Sequence, residues 1–273
     1  MAKISVVIPT MKGREEMLAK LISTIPPEYE IIIVDDEDLL LAAKRNKGAA
    51  KANNEYLLFI DDDNYLRKHA IENMVAGFDT KIGVMGMVAC YHSISRYIAD
   101  GGSKRNYLTG FTTGVNTNER INDIDQEVYD VDEVANAFMI RREVFNLIGG
   151  FDEENFPIDL DEADLCKRIK DMGYRIVYNP KAICYHDSIT YSHIPDFRRP
   201  LNAYFMGKNR QIYQRKHNTT GRYILYLVLF MPVFVVFYCV SLLYRRKPQM
   251  IFWFLKGVFD GISGSKKNPF QQR

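Results

Sequence analysis

YLLFIDDDNYL, residues 56–66, runs an uncharged apolar segment straight into three consecutive aspartates. An apolar run of this length with no polar alternation is the pattern of a strand buried on both faces, as in a parallel sheet covered by helices. Asp61, Asp62 and Asp63 repel one another, so a strand that ends on all three needs something positive against its tip. On its own such a triplet also suits a loop whose Asp caps the next helix. Its position at a strand end favours more: Asp61 and Asp63, at alternate positions, can reach one hard divalent cation such as Mg²⁺ or Mn²⁺, which takes oxygen ligands together with ligand phosphates.

The flanking sequence repeats the strand–helix alternation. ISVVI (4–8) is a short buried strand ended by Pro9, and residues 14–25 carry Met17, Leu18, Leu21 and Ile22 on one face of a helix stopped by Pro26 and Pro27. EIIIVDD (30–36) is the second strand, followed by a helix from about 39 to 52; after the third strand (56–60) a helix covers 66–78 and a fourth strand 82–89. The first three strands end in Pro9–Thr10, Asp35–Asp36 and Asp61–Asp63. In an open α/β sheet the ligand crevice lies outside the carboxyl ends of the strands, so these polar tips converge there. Asp35 and Asp36 there suit hydrogen bonds to a nucleobase or ribose.

Residues 90–132, rich in Gly, Ser, Thr and Asn, read as a loop with short strands. Order returns with a strand at 134–140, a short helix at 142–147, the GGFDE turn (149–153), a helix at 160–172, and strands at 175–178 and 182–186. The helix at 160–172 opens with Asp161, Glu162 and Asp164, preceded by Asp159. Acids in a first turn favour the helix dipole, but four in six positions exceed what one helix start needs, and a carboxylate at the crevice mouth is placed to take a proton from an attacking hydroxyl. His186 ends the last strand, where a half-buried histidine with a backbone partner is the plain reading and a ligand the sharper one.

Bulk composition bounds the rest. The 273 residues, 47% hydrophobic, hold one large domain with an appendage, and 36 basic against 34 acidic residues give no general case for a nucleic-acid partner. Cys90, Cys166, Cys184 and Cys239 show no CxxC spacing, which favours reduced thiols and no zinc. The N-terminal apolar stretch is too short for a signal peptide, so the expectation is a cytoplasmic domain.

The C-terminal end differs. YILYLVLFMPVFVVFYCVSLLY (223–244) is 22 residues without a charge, long enough at about 1.5 Å per residue to cross a hydrocarbon core of about 30 Å. Pro232 near its middle leaves spanning and re-entrant arrangements open, and basic residues on both sides leave orientation open. Residues 249–263, apolar with Trp253 and isolated charges, suit an interfacial helix, and residues 197–217 read as a basic amphipathic stretch ahead of the membrane segment.

Taken in order, SVVIPT (5–10), EIIIVDD (30–36), AAKRNKGAAKANNEYLLFIDDDN (42–64), AFMIRREVFNLIGGFDE (137–153), DEADLCKRIKDMGYRI (161–176) and Tyr185–His186 resemble the family-2 inverting glycosyltransferases of GT-A fold. The resemblance spans roughly residues 3–217 and rests on the order of the motifs, none of which suffices alone. It implies an α/β architecture, a Rossmann-like mixed sheet flanked by helices, with a catalytic domain at 1–217 and membrane-associated helices at 218–273. By the same resemblance Pro9, Thr10, Asp35, Asp36, Arg45, Asp61 and Asp62 surround the nucleotide of a nucleoside-diphosphate sugar, and Asp61, Asp63 and His186 hold Mg²⁺ or Mn²⁺. Asp161–Glu162 aligns with the family's Glu-Asp pair in reversed order, so the base is Glu162 or Asp161. The implied partners are the sugar donor, a glycan or polyprenyl-linked acceptor and membrane lipids, with no nucleic acid. A nucleotidyltransferase, or a membrane-anchored sugar-nucleotide-binding protein without activity, are the alternatives; PTMKGRE (9–15) lacks the Gly-rich loop the former needs.

Overall fold

The computed structural model describes residues 3–187, 198–265 and 268–270, and the chain divides into two compact units. The first comprises residues 1–104, 113–153 and 161–191, the second 105–112, 154–160 and 192–273.

In the first unit the chain runs β1 (Ile4–Pro9), α1 (Glu15–Thr24), β2 (Glu30–Val34), α2 (Leu41–Lys51), β3 (Tyr56–Ile60), β4 (Asn64–Leu66), α3 (Ala70–Gly77) and β5 (Ile82–Tyr91). It continues with β6 (Ile98–Asp100), β7 (Ser103–Arg105), β8 (Thr112–Gly114), β9 (Tyr129–Asp130), β10 (Ala137–Arg141), α4 (Arg142–Leu147), α5 (Asp161–Asp171) and β11 (Arg175–His186). The main sheet has the order β2-β1-β3-β10-β5-β11-β4, with β6 on β5 and β9 on β11. β1 pairs parallel with β2 and β3, and β11 parallel with β5, while β10 lies antiparallel between β3 and β5. The sheet is therefore mixed, and β1, β2, β3, β5 and β11 all point their carboxyl ends at one edge.

Alternate residues feed opposite faces of this sheet, as the strand period demands. Val7, Phe59 and Phe138 join α2, α4 and α5 in one core, and Val6, Leu58 and Met139 join α1 and α3 in the other. The third helix, expected to start at 66, begins only at Ala70, and Asn64–Leu66 instead form β4 against Cys184–His186. The strands expected at 175–178 and 182–186 are one strand, β11, irregular between Asn179 and Ile183 where its register on β5 shifts. All four cysteines are free thiols.

The second unit contains α6 (Arg198–His217), α7 (Thr220–Leu225), a π-helical turn (Tyr226–Phe230), α8 (Met231–Tyr244) and α9 (Gln249–Ser263). The basic amphipathic stretch expected at 197–217 is helix α6, with residue 197 outside the described residues. α6 buries Tyr204, Phe205, Lys208, Asn209, Gln211 and Gln214 and leaves Arg215 and Lys216 exposed. Its polar side chains are drawn inward by loop carbonyls of the same unit: Asn209 Nδ2 donates to Ile158 O and Asp159 O at 2.7 and 2.8 Å, and Arg210 Nη2 to Gly110 O at 2.7 Å. Helices α6 and α9 touch backbone to backbone, since a Cβ on Gly257 would stand 2.0 Å from Tyr204 O.

Residues 220–244 form one continuous helix of 25 residues, long and apolar enough to cross a membrane, with 11% of its most apolar window buried. Pro232 lies inside this helix, directly after the π-helical turn, a local irregularity of the kind that accompanies an interior proline, and the helix continues past it. Helix α9 leaves Phe252, Leu255, Phe259 and Ile262 exposed along one stripe.

Candidate active site

The site is built at the carboxyl edge of the first unit's sheet. Thr10 follows β1, Asp35 and Asp36 follow β2, Asp61 to Asp63 follow β3, and His186 closes β11. Antiparallel β10 starts at the same edge, where Asn136 O accepts from Asp61 N at 3.0 Å. Two arginines neutralise the aspartate tip. Arg14 contacts Asp62 through Nη1 and stands 3.7 Å from Asp63 Oδ2 through Nη2. Arg45 donates Nη2 to Asp61 Oδ1 at 2.9 Å.

Four consecutive residues of α2 hold four parts of this edge. Lys44 Nζ donates to Thr10 O at 2.6 Å; Lys47 Nζ donates to Asp36 Oδ1 at 2.6 Å. Asn46 accepts from Phe151 N at 2.9 Å and donates to Phe151 O at 2.9 Å. Arg45, fully buried, places Nη1 at 2.6 Å from Asp161 Oδ2 and 2.7 Å from Glu162 Oε1 while Nη2 holds Asp61. The helix can sit this close because of Gly48, whose Cβ would lie 2.3 Å from Val7 Cγ1.

The GGFDE turn is fixed from both sides. Gly150 has φ +74°, a left-handed backbone that disfavours a side chain, and a Cβ there would meet Asn46 Oδ1 at 2.7 Å. Arg168, on α5, donates to Ile148 O and Gly150 O at 2.9 and 2.8 Å and to Asp164 Oδ2 at 2.8 Å. The chain enters α5 through Asp159 and Leu160, both left-handed at φ 68° and 62°, a conformation that costs non-glycine residues about 1–3 kcal/mol each and concentrates at functional sites.

Three carboxylates on one guanidinium cannot all ionise cheaply. Burial pushes Glu162 up to about 8, with Arg45 opposing and Asp161 adding to the rise. Burial also raises Asp161 and Asp61 against the pull of Arg45. Arg45 itself stays charged, because Glu162, Asp61 and Asp161 outweigh the cost of burying it. The two candidates for the base are unequal in access: the Asp161 side chain is fully buried, whereas 16% of the Glu162 side chain reaches solvent. At His186 burial works against the charged form, yet Asp63 raises it, with Nε2 3.7 Å from Asp63 Oδ1.

The positions expected around a nucleotide separate accordingly. Thr10 Oγ1 donates to Asp62 Oδ2 at 2.6 Å, tying the first strand tip to the third. Asp35 is exposed, and Asp36 is held by Lys47. Pro9 ends β1, and Arg45 faces the carboxylate cluster. Of the expected metal set, Asp63 and His186 come together while Asp61 is engaged by Arg45, and among the described residues no group of three His, Cys, Asp or Glu side chains converges. A carboxylate and an imidazole suit a hard cation that keeps waters and takes phosphate oxygens for its remaining positions. Arg14 is the residue that the sequence motifs pass over; its one signal is a cation at the end of the loop after the first strand.

Comparison with known proteins gives the family and the fold. The family model "Glycosyltransferase like family 2" matches residues 5–214. Among solved structures, the mannosyltransferase PcManGT from Pyrobaculum calidifontis, in complex with GDP-Man and Mn²⁺, superposes with TM-score 0.54 at 12% identity, covering 96% of this chain and 88% of that one. GalNAc-T7 with UDP, GalNAc and Mn²⁺ superposes with TM-score 0.55 at 16% identity, over 68% of this chain and 44% of that one. A curated relative, the uncharacterized protein y4gI of Sinorhizobium fredii, is 35% identical over 52 residues, 19% of this chain and 6% of its own length. At these identities the structures show the fold, which is GT-A, and the family match covers more than half of the chain. The chain belongs to glycosyltransferase-like family 2, a family of sugar-transferring enzymes.

Proposed function

We propose that the protein is an inverting, membrane-attached glycosyltransferase that moves a sugar from a nucleoside diphosphate to an acceptor hydroxyl or phosphate. The observation that carries this reading is the buried Arg45, which joins Asp61 at the donor edge to the Asp161–Glu162 pair in one cluster. Glu162 is the base, because it combines solvent access with a proton affinity matched to near-neutral pH. Asp161, buried on the same Arg45 nitrogen, positions it.

Asp63 and His186 would hold a divalent cation, Mg²⁺ or Mn²⁺, whose chemistry when bound is Lewis-acid stabilisation of the departing diphosphate. Thr10 keeps Asp62 turned inward, and Asp35 and Asp36 face the nucleoside. For a hydroxyl acceptor, Glu162 takes its proton as the acceptor oxygen bonds to the anomeric carbon. The bond from that carbon to the diphosphate oxygen breaks on the opposite side, and its electron pair leaves with the diphosphate. A single in-line displacement inverts the configuration.

The long apolar helix 220–244 and the exposed stripe of α9 support attachment to a bilayer. Under the same proposal the catalytic unit lies on the cytoplasmic side. A membrane-attached enzyme with a soluble donor suits a lipid-linked acceptor, a polyprenyl phosphate or a glycan built on polyprenyl diphosphate. The test is release of nucleoside diphosphate from a panel of sugar nucleotides with Mn²⁺ and polyprenyl phosphate, using the full chain in detergent. With a hydroxyl acceptor, such as a glycan built on polyprenyl diphosphate, in place of polyprenyl phosphate, Glu162→Gln should keep donor binding and lose turnover; equal turnover of Glu162→Gln and wild type there would remove Glu162 as the base.

A further inference from the structure

Arg14 and Arg45 both neutralise the aspartate tip, but they are built differently. Arg45 is fully buried and locked on three carboxylates, whereas 28% of the Arg14 side chain reaches solvent. Arg14 follows Gly13, which turns the backbone through φ +86°, and is itself non-helical at φ −118°, just ahead of α1. Its grip is uneven: Nη1 is in close contact with Asp62 Oδ1, while Nη2 stands off Asp63 Oδ2 at 3.7 Å. Asp62 keeps a second partner in Thr10 Oγ1 at 2.6 Å, so it remains satisfied if the guanidinium turns away.

We propose that Arg14 is a ligand of the donor diphosphate, held on Asp62 and Asp63 until metal and diphosphate arrive together and then transferred to the phosphate oxygens. This rests on the donor reading above. A guanidinium fork suits phosphate as well as carboxylate, so the exchange replaces one charge-assisted contact by another. It also has a consequence at Asp63, the carboxylate shared by Arg14 and the expected cation site. A bare cation competes with Arg14 for Asp63 Oδ2, whereas a cation bringing a diphosphate supplies Arg14 with a new anionic partner. Arg14 therefore opposes metal alone and favours metal with nucleoside diphosphate.

The test measures both affinities on the full-length protein by calorimetry: Mn²⁺ alone, and UDP, GDP, ADP, CDP or dTDP in saturating Mn²⁺. Arg14→Gln should bind Mn²⁺ alone about five- to tenfold more tightly and the nucleotide about tenfold more weakly, the scale of a partly buried charged contact. Arg14→Lys, which keeps the charge without the fork, should stay near wild type for Mn²⁺ and fall between the two for nucleotide. Equal melting of all three proteins in EDTA checks the fold. Opposite signs exclude a merely structural role, which would weaken both. Loss of both affinities, or no change in either, overturns the proposal. A wild-type protein that binds none of UDP, GDP, ADP, CDP and dTDP with Mn²⁺ sinks the donor reading, and this inference with it.

Discussion

Replacing Arg45 by leucine removes the one cation that, among the described residues, touches Asp61, Asp161 and Glu162 together. Breaking a buried ion pair by deleting one partner costs about 3–5 kcal/mol, because the orphaned charge stays out of water. Here the cost should depend on pH, since the stranded acids can take up protons instead. All three already hold their protons above the usual carboxylate range through burial, and losing the guanidinium raises them further. An acid whose folded-state pKa is raised contributes stability below its unfolded value and loses it as pH climbs through the folded one. The loss relative to wild type should therefore be small near about pH 5, below about 2 kcal/mol, and approach about 5 kcal/mol near about pH 8.5. Urea denaturation of the full chain in mild detergent, followed by far-ultraviolet circular dichroism, reads it, with the m-value confirming that the transition is unchanged. A loss under about 1 kcal/mol at both pH values, or a larger loss at the acid end, would refute the shared-guanidinium reasoning.

Three further outcomes follow from the same geometry. Turnover at saturating donor should rise with pH through about 8, where Glu162 gives up its proton, and a profile flat across that range would deny it the role of base. Gly48→Ala sets a methyl 2.3 Å from Val7 Cγ1 and 3.2 Å from Val34 Cγ2, so overpacking of about 1–3 kcal/mol should exceed the helix-propensity gain of about 1 kcal/mol; unchanged urea stability would contradict the tight seat of α2. Membranes washed in alkaline carbonate should retain the full chain through residues 220–244, and its release into the supernatant would contradict a bilayer-embedded helix.

Strand tips were legible because burial on both faces leaves an uninterrupted apolar run, and the polar residues that end ISVVI, EIIIV and YLLFI fall at one edge as parallel pairing requires. The acidic start of α5 was legible for the same local reason. What escaped depends on partners far away in the chain. β4 exists because Asn64–Leu66 pairs with Cys184–His186, and nothing in NYL itself announces a strand. Arg14 finds its carboxylate 48 residues on, and Arg45 finds Asp161 116 residues on, so Arg45 was set beside the nucleotide only by the family resemblance and Arg14 was left unread. Helix α6 was legible as a basic amphipathic stretch because its charges are plain in sequence, while the loop carbonyls that draw Asn209 and Arg210 inward are not. The two carboxylates of the reversed Asp161–Glu162 pair differ in depth, a property of packing that sequence does not carry: one side chain is sealed and its neighbour is not.

The claim on which the rest depends is that the edge formed by Asp61 to Asp63 and His186 holds a nucleoside diphosphate through a divalent cation. Calorimetric titration of UDP and GDP into wild type and Asp63→Asn, with Mn²⁺ and again with EDTA, measures this directly. Binding of one nucleotide by wild type only when Mn²⁺ is present, and its loss in Asp63→Asn, is the expected result. Equal binding in EDTA, or full binding by Asp63→Asn, would contradict it.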